Sequence, residues 1–192
     1  VTSHTYRLNS SMVNASKEAV AKDPSNRCYW RMPDRRMEAE VLRDALLHLG
    51  GQLDRQMHGP NVNPSELPMS HRRSLYFTHS HNDRHRFLEV FDSASTRESY
   101  VRANSIIPQQ SLALANSQLA IESARNIASE IGDLPQDEFI ATAWLVILGT
   151  RPSAAEHQLC REALALWTAS GSPARWRLVQ SLINQNDFIT IR

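Results

Sequence analysis

Apolar residues recur at helical spacing through the second half of the chain, between short polar or glycine-containing links. Pro108 and Pro173 suit the first turns of helices, and Ser153 with Glu156 forms a capping box. Consecutive amphipathic helices with short links favour antiparallel packing. The pattern predicts four helices, at about 108–131, 133–149, 153–171 and 173–183.

The first half of the chain alternates between helical and irregular patterns. Asp34 is expected to cap a helix that ends at Leu49, with Gly50-Gly51 as its stop. Residues 52–71, which contain glycine and three prolines, predict a long surface loop. Residues 73–78 predict a short strand. The apolar face expected of the first helix comprises Met37, Val41, Leu42, Ala45, Leu46 and Leu49.

These elements predict a mainly α protein: a helical bundle-like single domain over 1–192, with one long irregular loop region and at most a minor β-hairpin. The length of 192 residues suits one ordinary domain. Because the chain begins at Val1 rather than Met, we expect it to be a fragment or a processed product.

Composition narrows the functional classes. The formal net charge of +1 gives no overall electrostatic case for nucleic acid, and no apolar run is long enough to cross a bilayer. Short signatures of hydrolases, nucleotide-binding enzymes and zinc proteases are missing. We therefore assign no catalytic residue, no metal ligand and no cofactor. Cys28 and Cys160 allow either a bridge or two free thiols.

The densest set of hydrogen-bonding side chains precedes and enters the helix that begins at Pro108. If the 91–107 segment folds over that helix, these groups meet near Asn116, which we expect on or beside its apolar face. Two interpretations follow: a hydrogen-bonded clamp that holds the loop, or a polar pocket for a ligand. The candidate binding residues are Asp92, Glu98, Arg102, Gln110 and Asn116.

Three further groups have candidate roles. The histidines His71, His79, His81 and His85 surround the predicted strand and suit either a metal site or a solvated, hydrogen-bonded cluster, and no carboxylate or thiolate has diagnostic spacing there. Tryptophans at helical spacing predict core packing, whereas Trp30 suits a surface role. Arginines form the third group and suit either an anionic polymer or local salt bridges; they are Arg72, Arg73, Arg84, Arg86, Arg97 and Arg102.

Short motifs spread over almost the whole chain resemble a known family. The chain is similar to the C-terminal domain of unknown function in large secreted proteins of planctomycetes and related bacteria. Tyr100 stands where that family often has Cys, and Ser111 where it often has Ala. The matching motifs include Thr5-Tyr6-Arg7, Arg43-Asp44-Ala45, Arg72-Arg73-Ser74-Leu75-Tyr76, Phe91-Asp92, Glu98-Ser99, Pro108-Gln109-Gln110-Ser111-Leu112, Asn116-Ser117 and Leu182-Ile183-Asn184.

The resemblance implies an exported bacterial protein, periplasmic or extracellular, that accompanies cytochrome c-like domains. It also implies that the chain is about the C-terminal three-quarters of a larger domain of a multidomain protein. It implies no catalytic residues. The leading hypothesis is a non-catalytic interaction or scaffold module whose partners are cytochrome c-like or other domains of the parent protein, with anionic polysaccharide as a second candidate partner. The alternative is an accessory enzyme, hydrolytic or redox-linked, or an anionic-polysaccharide-binding module, with its polar site at 92–116.

Overall fold

The computed structural model describes residues 3–10, 12, 15–63, 66, 70–80, 85–94 and 105–191. It is mainly α, as predicted, with 54% of the residues helical. Within the described residues there are two 3₁₀ turns, Thr5–Arg7 and Ser74–Tyr76, and eight helices. The helices are α1 Lys17–Lys22, α2 Ala39–Leu49, α3 Arg86–Val90, α4 Pro108–Asn116, α5 Gln118–Glu130, α6 Gln136–Leu148, α7 Ala154–Ala169 and α8 Ala174–Ile183.

The chain forms two compact units, one of Val1–Met37 with Ile189–Arg192 and one of Glu38–Phe188. The first contains α1 and a minimal antiparallel sheet, in which β1 (Arg35–Arg36) pairs with β2 (Thr190–Ile191). A further backbone bond, from Met37 N to Ile189 O (2.8 Å), extends this pairing. That the whole chain behaves as a single domain stays a prediction.

The second unit has its core where α8 packs against α4, α5, α6 and α7, and where α2 packs against α3 and α5. Side chains from five of these helices are almost completely excluded from solvent. None of the described helices is long and apolar enough to span a membrane. The largest fully buried side chains are Phe139, Leu42, Leu46, Leu47, Leu114, Ile127, Ile140, Leu182 and Ile183.

Local capping chemistry explains why the ends of the later helices were predictable. Ser153 Oγ accepts from Glu156 N, and the Glu156 carboxylate accepts from Ser153 N at 2.7 Å, so both halves of the capping box form at the start of α7. The Ser153 hydroxyl, which also donates to the Glu156 carboxylate at 2.6 Å, and the Ser153 N–H both lower the pKa of Glu156. Gly149 and Gly171 adopt left-handed φ values of 69° and 70° after α6 and α7, a conformation that glycine adopts at little cost.

The helix predicted over 108–131 is in fact two helices. Ser117 is extended (φ −69°, ψ 140°), so it ends α4 and also caps α5, where its hydroxyl accepts from Ala120 N at 3.3 Å. A serine that satisfies a free N–H of a new helix competes with continuation of the old one.

Two predictions in the first half were wrong. Asp34 does not cap α2, which begins at Ala39 after the short strand β1. Its buried face includes Ala39 and Arg43, whereas Val41 is 47% exposed. No strand covers residues 73–78: Ser74–Tyr76 is a 3₁₀ turn and Phe77 forms an isolated bridge with Val62, because side chains of this segment make the contacts described below.

Candidate functional site

The two described ends of the polar segment predicted as a site meet at Ser105. The half-buried carboxylate of Asp92 accepts from Ser105 N at 2.6 Å and from Ser105 Oγ at 2.9 Å. Asp92 has a left-handed φ of 58°, which acidic and amide residues tolerate better than most. The contact between Asp92 and Ser105 joins the end of α3 to the segment before α4.

Gln110 provides the second half of this arrangement. Its side chain, only 4% exposed, lies on the buried face of α4. Nε2 donates to the carbonyl oxygens of Val90 and Ser105, both at 3.1 Å. A single buried amide therefore links the last turn of α3 to the segment before α4. We call Asp92, Ser105 and Gln110 the Ser105 clamp.

The remaining predicted site residues do not join this clamp within the described residues. Asn116 is exposed, contrary to the expectation of burial, and its Nδ2 donates to Leu112 O at 3.0 Å, one turn earlier in α4. Because α4 ends at Asn116, this residue does not belong to the longer helix whose apolar face was expected to hold it. Glu98 and Arg102 lie outside the described residues.

A buried arginine, which the sequence analysis did not select, organises the neighbouring loop. Arg43 is 2% exposed, and its Nη1 donates to Arg72 O at 2.9 Å and to Ser74 Oγ at 3.2 Å, while Nη2 donates to Ser70 O. Its guanidinium also lies 4.4 Å from the Phe77 ring centroid. A cation thus holds the 70–77 loop against α2.

Asp44 completes that contact. Its Oδ1 accepts from Ser74 N at 2.8 Å and from Ser74 Oγ at 2.7 Å, and it lies 3.5 Å from Arg43 Nη1. Burial lowers the pKa of Arg43 to about 10, and the nearby Asp44 carboxylate opposes that shift, so Arg43 stays charged at neutral pH. We call Arg43, Asp44 and Ser74 the Arg43 clamp. The sequence signal was a cation one turn from Leu46 and Ala39 on the apolar face of α2.

Two members of the basic group considered for polymer binding, Arg72 and Arg73, are engaged within the fold. Arg72 donates to Pro60 O at 2.7 Å and to His58 O at 2.6 Å, and its guanidinium lies 4.0 Å from the Tyr76 ring centroid. Tyr76 in turn accepts from His58 N at 2.7 Å. Arg73 Nε lies 3.7 Å from Asp44 Oδ2. Arg86 is exposed on α3, whereas Arg84, Arg97 and Arg102 lie outside the described residues.

The predicted histidine cluster has a different character. His85 stacks on Phe77 with ring centroids 5.6 Å apart, His71 and His79 are exposed, and His81 lies outside the described residues. In the part of the chain that the structure describes, no three His, Cys, Asp or Glu side chains group as they would around a metal ion.

The cysteines are free thiols, exposed at Cys28 and buried at Cys160. Trp144 Nε1 donates to Cys160 Sγ at 3.4 Å, and burial raises the pKa of this thiol. Trp144 is buried and Trp167 and Trp176 are half-buried, and Arg125 lies 5.2 Å from the Trp176 ring centroid. Trp30 is also half-buried.

Residues 1–164 match the family described as PSD1, protein of unknown function (DUF1553). The chain belongs to this family. No curated protein matches the chain, and no solved structure matches it. The matched residues include both clamps, and the family description assigns no chemistry to them.

Proposed function

We propose that this PSD1 domain is a non-catalytic interaction module of an exported bacterial protein, which docks a cytochrome c-like domain or another domain of its parent protein. The observation that carries the proposal is the Ser105 clamp. Asp92, one of the two carboxylates among the candidate binding residues, is engaged by the backbone and hydroxyl of Ser105. Gln110 is engaged by two backbone carbonyls. Such groups hold a loop in position.

The setting of the proposal comes from the resemblance to planctomycete secreted proteins. In those proteins the similar domain follows a cytochrome c-like domain, which makes such a domain the first partner to test. The polar side chains of the two clamps in the second unit hold loops in position. This agrees with a module that acts through its surface shape and not through a reactive side chain.

Exposed apolar side chains on α7 offer a contact surface. Leu159 and Leu166 are 66% and 71% exposed and lie two helical turns apart, on the same face. Leu159 also lines an apolar groove of about 200 Å³ that includes Trp144, Trp167 and Leu178. Adjacent exposed apolar residues beside a groove are typical of protein contact surfaces.

The test is a binding titration of the full chain against the cytochrome c-like domain of the same parent protein. We expect saturable binding that weakens about tenfold or more in Leu159→Asp/Leu166→Asp, because a buried charge opposes apolar contact. The matched control is Leu112→Asp, a 60% exposed leucine on α4, which should bind as the parent does.

Two results would overturn the proposal. One is absence of binding to every domain of the parent protein. The other is turnover by the purified chain on a panel of polysaccharides and esters, which would replace the interaction module with the accessory-enzyme alternative at 92–116.

A further inference from the structure

A polar cleft of about 460 Å³ lies entirely within the first compact unit. Its size falls within the range of small-molecule sites, about 300–1,000 Å³. Three arginines, Arg27, Arg31 and Arg35, line it together with a single carboxylate, Asp34. The exposed ring of Tyr29 forms part of the rim. The cleft is separate from both clamps.

Its charge is unbalanced. Among the described residues, no ion pair joins Arg27, Arg31 or Arg35 to a carboxylate within 4 Å. Arg31 Nη1 donates to the carbonyl of Ser10 at 3.3 Å, and its guanidinium lies 5.6 Å from the Trp30 ring centroid; neither contact supplies a full negative charge. Like charges gathered in one concavity raise the local concentration of anions.

Among the described residues, the carboxylate in the loop that carries Arg27 is already engaged. Asp23 accepts from Arg27 N at 2.9 Å and from Cys28 N at 2.7 Å. These backbone hydrogen bonds, led by that from Cys28, lower the pKa of Asp23, with a smaller contribution from the charge of Arg27. Asp23 thus shapes the loop that carries Arg27, and it does not pair with the guanidinium.

The loop is held in shape before any ligand arrives. Asn26, 8% exposed, donates through Nδ2 to Arg31 O at 2.9 Å and accepts from Arg31 N at 3.2 Å. Trp30 Nε1 donates to Asp23 O at 2.9 Å. Asn26 and Tyr29 have left-handed φ values of 55° and 53°. A tyrosine in this conformation is uncommon, and such backbone persists only where its surroundings enforce it.

The backbone of the segment that carries Arg35 is also fixed. Arg35 belongs to β1 and pairs with Ile191 of β2, so its backbone position follows from the sheet. The guanidinium groups therefore extend from two supported segments. A pre-formed set of cations requires less ordering when it binds, which favours affinity.

We propose that this cleft binds a small anion through a carboxylate or phosphate group, with Arg27, Arg31 and Arg35 as its ligands. Guanidinium groups match both oxyanions in a two-pronged geometry. Tyr29 offers a ring face to the body of the ligand. This site is independent of the proposed docking function and of the arginines in the 72–102 region.

The test is calorimetric titration of the full chain with sodium phosphate, trisodium citrate and glucose 6-phosphate, with glucose as the uncharged control. We expect saturable binding of at least one anion, none of glucose, and weaker binding as salt rises to about 0.15 M because exposed charges are screened. Stronger binding of glucose 6-phosphate indicates a phosphate ligand, and stronger binding of citrate indicates a carboxylate.

Arg27→Gln and Arg35→Gln should each weaken binding about tenfold, since each removes a charge-assisted contact. Arg151→Gln, at an exposed arginine of the second unit, should leave the affinity unchanged. Circular dichroism checks folding, and Arg→Lys at the same position replaces any Gln variant that unfolds, with weaker binding again expected. Failure of the parent to bind any of the three anions, or equal affinity in the cleft variants, would overturn the proposal.

Discussion

Arginine has opposite surroundings in the two compact units. In the second unit, Arg43 is almost completely buried, and its guanidinium donates to two backbone carbonyls and a serine hydroxyl. In the first unit, Arg27 and Arg35 are exposed on the rim of a cleft and form no ion pair with a described carboxylate.

This difference indicates that the hydrogen-bond and ion-pair partners of an arginine, rather than the residue type itself, determine whether it is structural or available to bind a ligand. Where the fold supplies every acceptor, as for Arg43, removal leaves buried polar groups unpaired and stability should fall. Where the fold supplies no carboxylate, as in the cleft, removal should change affinity for anions and leave folding nearly unchanged. The predictions below separate these two outcomes.

Arg43→Met should have the largest effect on stability. It leaves the Ser70 and Arg72 carbonyls and the Ser74 hydroxyl without their donor, so the free energy of unfolding should fall by about 3–5 kcal/mol. Urea denaturation followed by circular dichroism measures this. Arg151→Met, at an exposed position, is the control and should change stability by less than about 0.5 kcal/mol. Equal stability of the two variants would remove the distinction.

Gln110→Ala should lower the free energy of unfolding by about 1–3 kcal/mol, because the Val90 and Ser105 carbonyls lose a donor in a buried setting. Asn116→Ala is the matched control on the same helix. Its exposed amide bonds only to Leu112 O, so the change should stay within about 0.5 kcal/mol. If Asn116→Ala proves the more destabilising, the described clamp does not hold the segment.

Arg27→Gln/Arg35→Gln should leave the free energy of unfolding, measured by urea denaturation, within about 0.5 kcal/mol of the parent, because both side chains are exposed. This is the stability counterpart of the anion titration and is measured on the same samples. A loss comparable to that of Arg43→Met would place these arginines among the structural ones.

Asp23 supports the cleft loop through hydrogen bonds that require its ionised form. Its pKa is lowered from the ordinary value of 3.8, so its stabilising effect is complete above that value and is lost as pH falls through the lower, folded-state pKa. The amide resonances of Arg27 and Cys28 should therefore titrate below pH 3.8. In Asp23→Asn this titration should disappear; its persistence would assign it to another group.

Local chemistry was the part of the fold that could be predicted from sequence. The Ser153–Glu156 capping box and Gly149 and Gly171 each act within a turn or two, so their neighbours in sequence are sufficient to place α6 and α7. The break at Ser117 is also local, but a serine inside a long helical pattern does not by itself distinguish a cap from an interior residue.

Long-range contacts explain what was missed. Tyr76 and Phe77 have strand-like character, yet the Phe77 ring contacts Arg43, which lies far away in the sequence on α2, and residues 74–76 turn. Asp92 and Gln110 were predicted to belong to one polar network, and the structure joins them through Ser105. Whether any of the predicted residues binds a ligand stays a prediction.

The central claim is that Asp92 and Ser105 are hydrogen-bonded to each other in the Ser105 clamp. A double-mutant cycle of Asp92→Ala and Ser105→Ala tests it most directly. The cycle cancels the backbone strain that alanine introduces at the left-handed Asp92. Urea denaturation should give a coupling energy of about 0.5–3 kcal/mol, as expected for residues in direct hydrogen-bonded contact. Strictly additive effects would contradict the clamp and return Asp92 to the candidates for a ligand or catalytic site.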